Sequence, residues 1–299
     1  MMRYSFLGAD TRLSAQVLNE QSSATMIALH GMRDQGESFR LLAEAMPEVR
    51  LIIPDLRGHG RSDHPGVYSM THFVADLLAV YRFFGLASVH LLGHSLGGHI
   101  VSRFSGMFPE RVDRLIIADG FGPPRPKDPP DTAGLALGLR EQVETLWSMG
   151  RGSRPMQNLT VARERYQHNN PNLSQARIAH LVQEGTRELP TGDVGWRWDP
   201  RVQQVWSTFS HADSESLLSC IRSETCVITG SEGLAYWLRM HPELAGQDLH
   251  YQRELQRRIA LFSVPVLNVV LKGAGHMVHY DAPEAFCGAV QRFIGAGST

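Results

Sequence analysis

The feature that most constrains the fold is a repeated alternation in the first 120 residues, where short β-branched or aliphatic runs are followed by longer amphipathic segments. Such alternation is typical of βα units, which build a parallel sheet covered by helices. The runs predict strands at residues 14–18, 25–30, 49–54, 89–93 and 114–119, and the segments predict helices at 36–46, 70–84 and 97–108. The last three strands are nearly unbroken apolar runs, so we expect helices on both faces. The predicted class is therefore α/β, a doubly wound, mostly parallel sheet.

A proline cluster at residues 122–130 ends this alternation. Proline cannot occupy the interior of a helix or strand without loss of a hydrogen bond, so the cluster predicts a boundary. From residue 131 to about 222 the pattern is helical, with no strand-like run, and predicts helices at 135–149, 159–168, 174–188 and around 202–210. Strand character returns at 225–230 and 264–271, with helical segments at 249–262 and 283–293. We therefore predict a core domain of residues 1–122 and 223–299 and a helical cap subdomain inserted at 123–222.

Charge and cysteine content limit the classes of partner and compartment. The 29 Lys and Arg residues nearly balance the 30 Asp and Glu residues, so no basic field favours nucleic acid or an acidic membrane surface. The three cysteines have neither a zinc-site spacing nor an even count, which favours a reducing compartment. No signal-like or membrane-spanning apolar stretch is present. We expect a cytoplasmic monomer or homodimer that binds a small-molecule substrate, without nucleic acid or membrane partners.

The most informative motif lies between a predicted strand and a predicted helix and reads Gly93-His94-Ser95-Leu96-Gly97-Gly98. A serine on such a strand–turn–helix is held in a strained conformation, and the residues two before and two after it must be small. Gly93 and Gly97 meet this requirement. The turn directs the hydroxyl towards the free N–H groups of the helix start, where negative charge is stabilised. Ser95 is therefore the candidate nucleophile, and the Leu96 N–H is the expected first oxyanion donor.

Three further segments accompany this motif in order along the chain: Ala28-Leu29-His30-Gly31-Met32, then a turn at residues 54–62, and Gly273-Ala274-Gly275-His276 after the last predicted strand. With these four elements the chain resembles the α/β-hydrolase superfamily over essentially its whole length. Residues 117–124, with residues 184–186 and 195–201, are most similar to the serine hydrolase-like group of capped hydrolases. The resemblance implies an α/β-hydrolase fold with a Ser-His-acid triad and a second oxyanion donor at the Met32 N–H.

Four histidines compete for the role of general base. His276 lies on a loop after the last predicted strand, where a histidine can accept the serine proton and return it to the leaving group. His30 and His59 are interpreted as loop supports rather than bases. His279, three residues after His276, is expected either to line the pocket or to face solvent.

The acid is the member of the triad that the sequence leaves open. Many superfamily members place an aspartate three residues after the glycine that ends the strand following the cap, and here that position is Gly233. Asp119 ends the strand before the cap, as the acid does in haloalkane dehalogenases, and Glu232 is one residue short of the usual position. Both lie between Ser95 and His276, as the expected order requires. We predict Asp119, with Glu232 as the alternative.

These residues predict two-step acyl transfer to water without a metal or cofactor. The expected substrate is a small or medium, largely apolar ester, because a helical cap bounds the pocket. C–C bond hydrolysis or perhydrolysis on the same triad is the first alternative. A non-catalytic ligand-binding protein on a hydrolase fold is the second.

Overall fold

An eight-stranded sheet forms the centre of the structure, a computed structural model that describes residues 2–125, 127, 131–148 and 154–295. Within this part of the chain the strands are β1 (Met2–Leu7), β2 (Arg12–Leu18), β3 (Ala24–Leu29), β4 (Val49–Asp55), β5 (Val89–His94), β6 (Val112–Ala118), β7 (Thr186–Glu188), β8 (Val194–Trp196), β9 (Glu224–Gly230) and β10 (Val266–Leu271). The α-helices are α1 (Arg40–Ala45), α2 (Met70–Phe84), α3 (Leu96–Met107), α4 (Thr132–Ser148), α5 (Leu159–Asn169), α6 (Gln175–Gly185), α7 (His211–Leu218), α8 (Gly233–Trp237), α9 (Asp248–Ile259), α10 (Val278–Asp281) and α11 (Pro283–Gly295). Short 3-10 helices occupy Gly36–Phe39, Pro109–Arg111, Pro200–Thr208 and Pro242–Leu244.

The strand order is β1-β2-β4-β3-β5-β6-β9-β10. The pairs β1–β2 and β2–β4 are antiparallel, and every other pair in this sheet is parallel. Side chains alternate between two buried clusters, so that Leu91 packs with Phe104 of α3 on one face and Leu92 packs with Phe286 of α11 on the other. The predicted doubly wound, mostly parallel α/β fold is confirmed.

Several local predictions need correction. The predicted helix 36–46 is a 3-10 turn at Gly36–Phe39 followed by α1, and β10 begins at Val266 rather than at residue 264. β1 was not predicted; it is an edge strand with one buried side chain, Phe6. A strand that buries so little has a weak hydrophobic alternation, which explains the omission.

The chain between β6 and β9 contributes no strand to the main sheet among its described residues, and contains α4 to α7. The prediction that this segment lacks strands is wrong, because β7 and β8 pair as an antiparallel hairpin. The predicted helix 174–188 is too long, because α6 ends at Gly185 and the chain continues into the hairpin. Pro190 and Gly192 lie in the hairpin turn, where Gly192 has a φ of 83°. Met149, where the first predicted helix of this segment ends, and part of the proline cluster lie outside the described residues. The division into core and cap remains a prediction.

Candidate active site

Ser95 occupies the sharp turn between β5 and α3, with φ of 51° and ψ of −115°. A non-glycine residue in this region is strained by roughly 1–3 kcal/mol and persists only where its surroundings hold it. Here the Ser95 N–H donates to the Ala118 carbonyl at 3.0 Å, and its carbonyl accepts from the His99 N–H at 3.1 Å. The neighbouring strand and the first turn of α3 thus fix the serine from both sides.

The glycines that flank the turn allow close backbone approach. A Cβ atom at Gly93 would lie 2.2 Å from the Gly97 carbonyl oxygen, and a Cβ at Gly97 would lie 2.2 Å from the Leu29 carbonyl oxygen. Both distances are far below van der Waals contact. Any side chain at either position would push α3 away from β3 and β5, and the serine with it.

His276 follows β10 and connects the serine to a carboxylate. Its Nε2 lies 3.0 Å from Ser95 Oγ, and its Nδ1 lies 2.8 Å from Asp119 Oδ2. Because an ionised carboxylate only accepts, Nδ1–H donates to Asp119, and Nε2 is left to accept the serine proton. The imidazole is buried, and the Tyr236 ring stacks on it with ring centroids 4.0 Å apart. Packing and the carboxylate together fix the ring orientation.

Of the two candidate acids, Asp119 is the one in contact with His276. Its backbone N–H extends the β6–β9 ladder by donating to the Ile228 carbonyl at 2.8 Å, and its φ is 42°, a region that aspartate tolerates better than most residues. Glu232 is exposed and accepts a hydrogen bond from the Ser231 hydroxyl at 3.1 Å.

Gly233, the position of the acid in many superfamily members, lies beside Asp119. A Cβ atom at Gly233 would be 3.5 Å from Asp119 Oδ2. The same Cβ would lie 2.8 Å from the Tyr251 hydroxyl, so a carboxylate at the end of β9 approaches the position of the Asp119 carboxylate only if Tyr251 shifts.

The two predicted oxyanion donors belong to two turns that meet at Ser95. Leu96 begins α3, so its N–H has no acceptor within the helix. The turn that carries Met32 packs against the serine, because a Cβ atom at Gly31 would lie 3.2 Å from Ser95 Cβ. Met32 also lines the same cavity as Ser95.

His30 and His59 hold the backbone behind this turn. His30 accepts from the Leu56 N–H at 3.0 Å, and His59 accepts from the Arg33 N–H at 3.1 Å. Burial lowers the pKa of His59 to about 3, so this ring remains neutral. Arg33 has a φ of 64°, and the bond from His59 holds this left-handed residue next to Met32. These contacts agree with the interpretation of both histidines as loop supports.

A cavity of about 660 Å³ opens onto Ser95. Apolar and aromatic side chains from several elements contribute to its lining: Phe121, Trp206, Phe209, Trp237 and Met240. Residues of α4, such as Gln142 and Leu146, form another part of the wall. His99 also lines the cavity, and burial lowers its pKa to about 3, so it presents a neutral imidazole to a bound molecule.

Two features were not predicted from the sequence: the aromatic rings that pack on His276, and the buried polar residues that surround His279. Tyr236 and Trp237 belong to α8, a helix too short to give a periodic signal. His279 neither lines the cavity nor faces solvent, because it is 5% exposed and packs against His94 at 4.5 Å between ring centroids. Its Nε2 lies 3.7 Å from Asp34 Oδ2. No spacing in the sequence links these three positions.

Fold and site together define a hydrolase of the α/β class. A sequence model of the alpha/beta hydrolase family matches residues 26–289, and the chain belongs to this family. Within it, the chain is similar to a serine hydrolase-like protein of Mus musculus, at 25% identity over 94% of this chain and 92% of the relative. It is also similar to a lipase, LipV, of Mycobacterium tuberculosis, at 27% identity over 65% of this chain and 70% of that protein.

The solved structure of a thioesterase domain from the curacin biosynthetic pathway has the same fold. The two superimpose with a TM-score of 0.80 and 20% sequence identity over 97% of this chain and 99% of that domain. Among the described residues of the present chain, every helix is too short or too polar to cross a membrane.

Proposed function

We propose that this hydrolase cleaves small or medium, largely apolar esters through an acyl-enzyme formed on Ser95. The observation that carries the proposal is the hydrogen-bonded chain from Asp119 through His276 to Ser95, at 2.8 and 3.0 Å, which ends at a cavity. A nucleophile, a base and an orienting acid in this order can perform acyl transfer without a metal.

In the first step, Ser95 Oγ attacks the ester carbonyl carbon while its proton moves to His276 Nε2. Asp119 stabilises the imidazolium that forms, and the N–H groups of Leu96 and Met32 donate to the oxyanion. The C–O bond to the alcohol then breaks, and the alcohol leaves with the proton from Nε2. In the second step, water attacks the acyl-enzyme, gives its proton to Nε2, and the acid product leaves as Ser95 regains its hydrogen.

The cavity supports the substrate size. A volume of about 660 Å³ lies within the usual range for pockets that hold small ligands, and its aromatic lining favours apolar acyl or alcohol groups. The similarity to a lipase is consistent with ester chemistry.

Fluorophosphonate labelling and turnover of p-nitrophenyl esters of increasing acyl length test the proposal. We expect labelling and turnover in the native protein and neither in Ser95→Ala. Ser102→Ala is the matched control, because Ser102 lies on the same helix and its hydroxyl donates within the helix to the Gly98 carbonyl.

Other outcomes distinguish the alternatives. Labelling without ester turnover, together with cleavage of a vinylogous diketone or peroxide-dependent turnover, would favour C–C hydrolysis or perhydrolysis. Absence of labelling in folded protein would favour a ligand-binding protein.

A further inference from the structure

A second group of buried polar side chains lies next to the proposed triad and does not line the cavity. Asp34, His94 and His279 are 7%, 1% and 5% exposed, and one potential ligand atom from each lies within 4.8 Å of the others. The proposed reaction uses none of the three side chains.

Four polar atoms of this group make no hydrogen bond of normal length within the part of the chain that the structure describes, and Asp34 Oδ2 and His279 Nε2 approach each other only to 3.7 Å. The four atoms are Asp34 Oδ2, His94 Nδ1 and both ring nitrogens of His279. A buried polar atom without a partner is costly, and four in one place call for an explanation such as a bound ion or water.

The remaining polar atoms of the group are fixed in the manner of metal ligands. His94 Nε2–H donates to the His276 carbonyl at 2.9 Å, which leaves the Nδ1 lone pair free. Tyr280 donates its hydroxyl hydrogen to Asp34 Oδ1 at 2.9 Å, which leaves Oδ2 free. Metal-binding histidines commonly donate the other ring N–H to a carbonyl, and metal-binding carboxylates are commonly held by a second hydrogen bond.

Gly31 lies against His94, and the absence of a side chain there leaves the lone pair of His94 Nδ1 unobstructed. A Cβ atom at Gly31 would lie 2.8 Å from this nitrogen. Asp34 also lines a narrow pocket together with Trp196 and Trp198.

We propose that Asp34, His94 and His279 form a binding site for a divalent transition-metal ion, with Zn²⁺ as the best match. Two imidazoles and one carboxylate are a ligand set that Zn²⁺ accepts, with a fourth position open to water. Ligand atoms around tetrahedral zinc are separated by roughly 3.3 Å, given bonds of about 2.0–2.1 Å. Asp34 Oδ2 and His279 Nε2 are 3.7 Å apart, close to this value, and ion binding requires the His94 nitrogen to move towards them from within 4.8 Å.

An ion at this site would connect three segments that carry residues of the proposed active site. His94 precedes the nucleophile, Asp34 follows Met32 by two residues, and His279 follows the base by three. Contraction around the ion would pull the His276 backbone through its bond to His94. We therefore expect the ion to stabilise the fold and to inhibit turnover; only the inhibition rests on the proposed function.

Cobalt titration of the chelator-treated, full-length protein tests the site, because Co²⁺ in a four-coordinate nitrogen and oxygen site gives visible d–d absorption. We expect one Co²⁺ per chain, displaced by Zn²⁺, and a rise in Tm of a few degrees with saturating Zn²⁺. Asp34→Asn and His279→Gln should each weaken binding at least roughly 10-fold. His168→Gln, which replaces an exposed histidine, is the matched control and should bind normally.

The cobalt titration measures binding and not turnover, so it tests the metal site even if the ester proposal fails. Absence of d–d absorption in the wild-type protein would overturn the site and favour a buried water, whether or not the variants fold. Binding that persists in both folded variants, or that is lost only in His276→Gln, would place the ion elsewhere and equally overturn it.

Discussion

Replacement of Asp119 by asparagine removes the charge of the proposed acid and keeps the size and shape of its side chain. The backbone at Asp119 has a φ of 42°, which asparagine also tolerates, so the fold should be retained. The amide can turn its NH₂ group towards His276 Nδ1, which would then have to accept. In that tautomer Nε2 carries the hydrogen and cannot take the proton of Ser95.

The expected loss follows from the charge that disappears. Asp119 Oδ2 and His276 Nδ1 are 2.8 Å apart in a buried site. Taking charge centres about 4 Å apart and an effective dielectric constant of about 20, the carboxylate stabilises the imidazolium by about 4 kcal/mol. This corresponds to roughly 10³-fold in kcat, and the wrong tautomer adds to it, so that we expect a loss of roughly 10³- to 10⁴-fold.

The assay is kcat on the best p-nitrophenyl ester, with circular dichroism to verify folding. Glu232→Gln is the control and should stay within about threefold of wild type, because the Glu232 side chain is exposed and bonds only to Ser231 in the described structure. If Asp119→Asn keeps full turnover while Glu232→Gln removes it, the assignment of the acid is refuted.

An exchange variant extends the same reasoning. Asp119→Gly combined with Gly233→Asp moves the carboxylate to the neighbouring strand end, where its Cβ would lie 3.5 Å from the present Oδ2 position and 2.8 Å from the Tyr251 hydroxyl, which must shift. We expect the pair to recover part of the activity that Asp119→Gly alone loses. Equal activity of the two would show that the carboxylate cannot reach His276 from residue 233.

Three further predictions concern the scaffold. Gly97→Ala should lower the free energy of unfolding by about 3 kcal/mol or more in denaturant titrations, because its Cβ would lie 2.2 Å from the Leu29 carbonyl oxygen; a neutral result would contradict the close approach. His59 has a pKa of about 3 in the folded protein, so the unfolded chain binds the extra proton and stability falls as pH drops from about 6.5 towards 3, by about 1.4 kcal/mol per unit. His59→Gln should remove this part of the pH slope, and an unchanged slope would argue against a buried neutral ring. Of the three cysteines only Cys220 is exposed, so one thiol should react rapidly with a disulfide reagent in native protein and three after unfolding; rapid reaction of all three would contradict the burial of the others.

Periodicity predicted the central strands because they are covered on both faces, and this gives long apolar runs such as β5 and β6. It failed where burial is slight or an element is short. The β7–β8 hairpin has three residues in each strand, too few for alternation to be distinguished from the preceding helix. Pro190 and Gly192 are turn-forming residues that indicate an earlier end of the helix, and the prediction of a helix over 174–188 did not take them into account.

Site residues that belong to one local turn could be proposed from sequence. Ser95 lies in a motif whose glycines have a steric purpose, and His276 follows a glycine-rich turn after the last strand. The Asp34, His94 and His279 group could not be proposed in this way. Asp34 lies in the loop after β3, His94 at the end of β5 and His279 in α10, and only the parallel order of β3 and β5, with the segment after β10, brings them together.

The position of the proposed acid likewise depends on which strands are neighbours, and the sequence alone does not show this. β6 and β9 are parallel neighbours, paired through Ala118 and Ile228, so both strands deliver their following residues to one place beside His276. A carboxylate near that place can come from residue 119 or, once the Tyr251 hydroxyl shifts, from residue 233. Glu232 does not qualify despite its longer side chain, because the turn after β9 directs it to solvent. The base requires a carboxylate at one position, and the ends of β6 and β9 both lie next to that position.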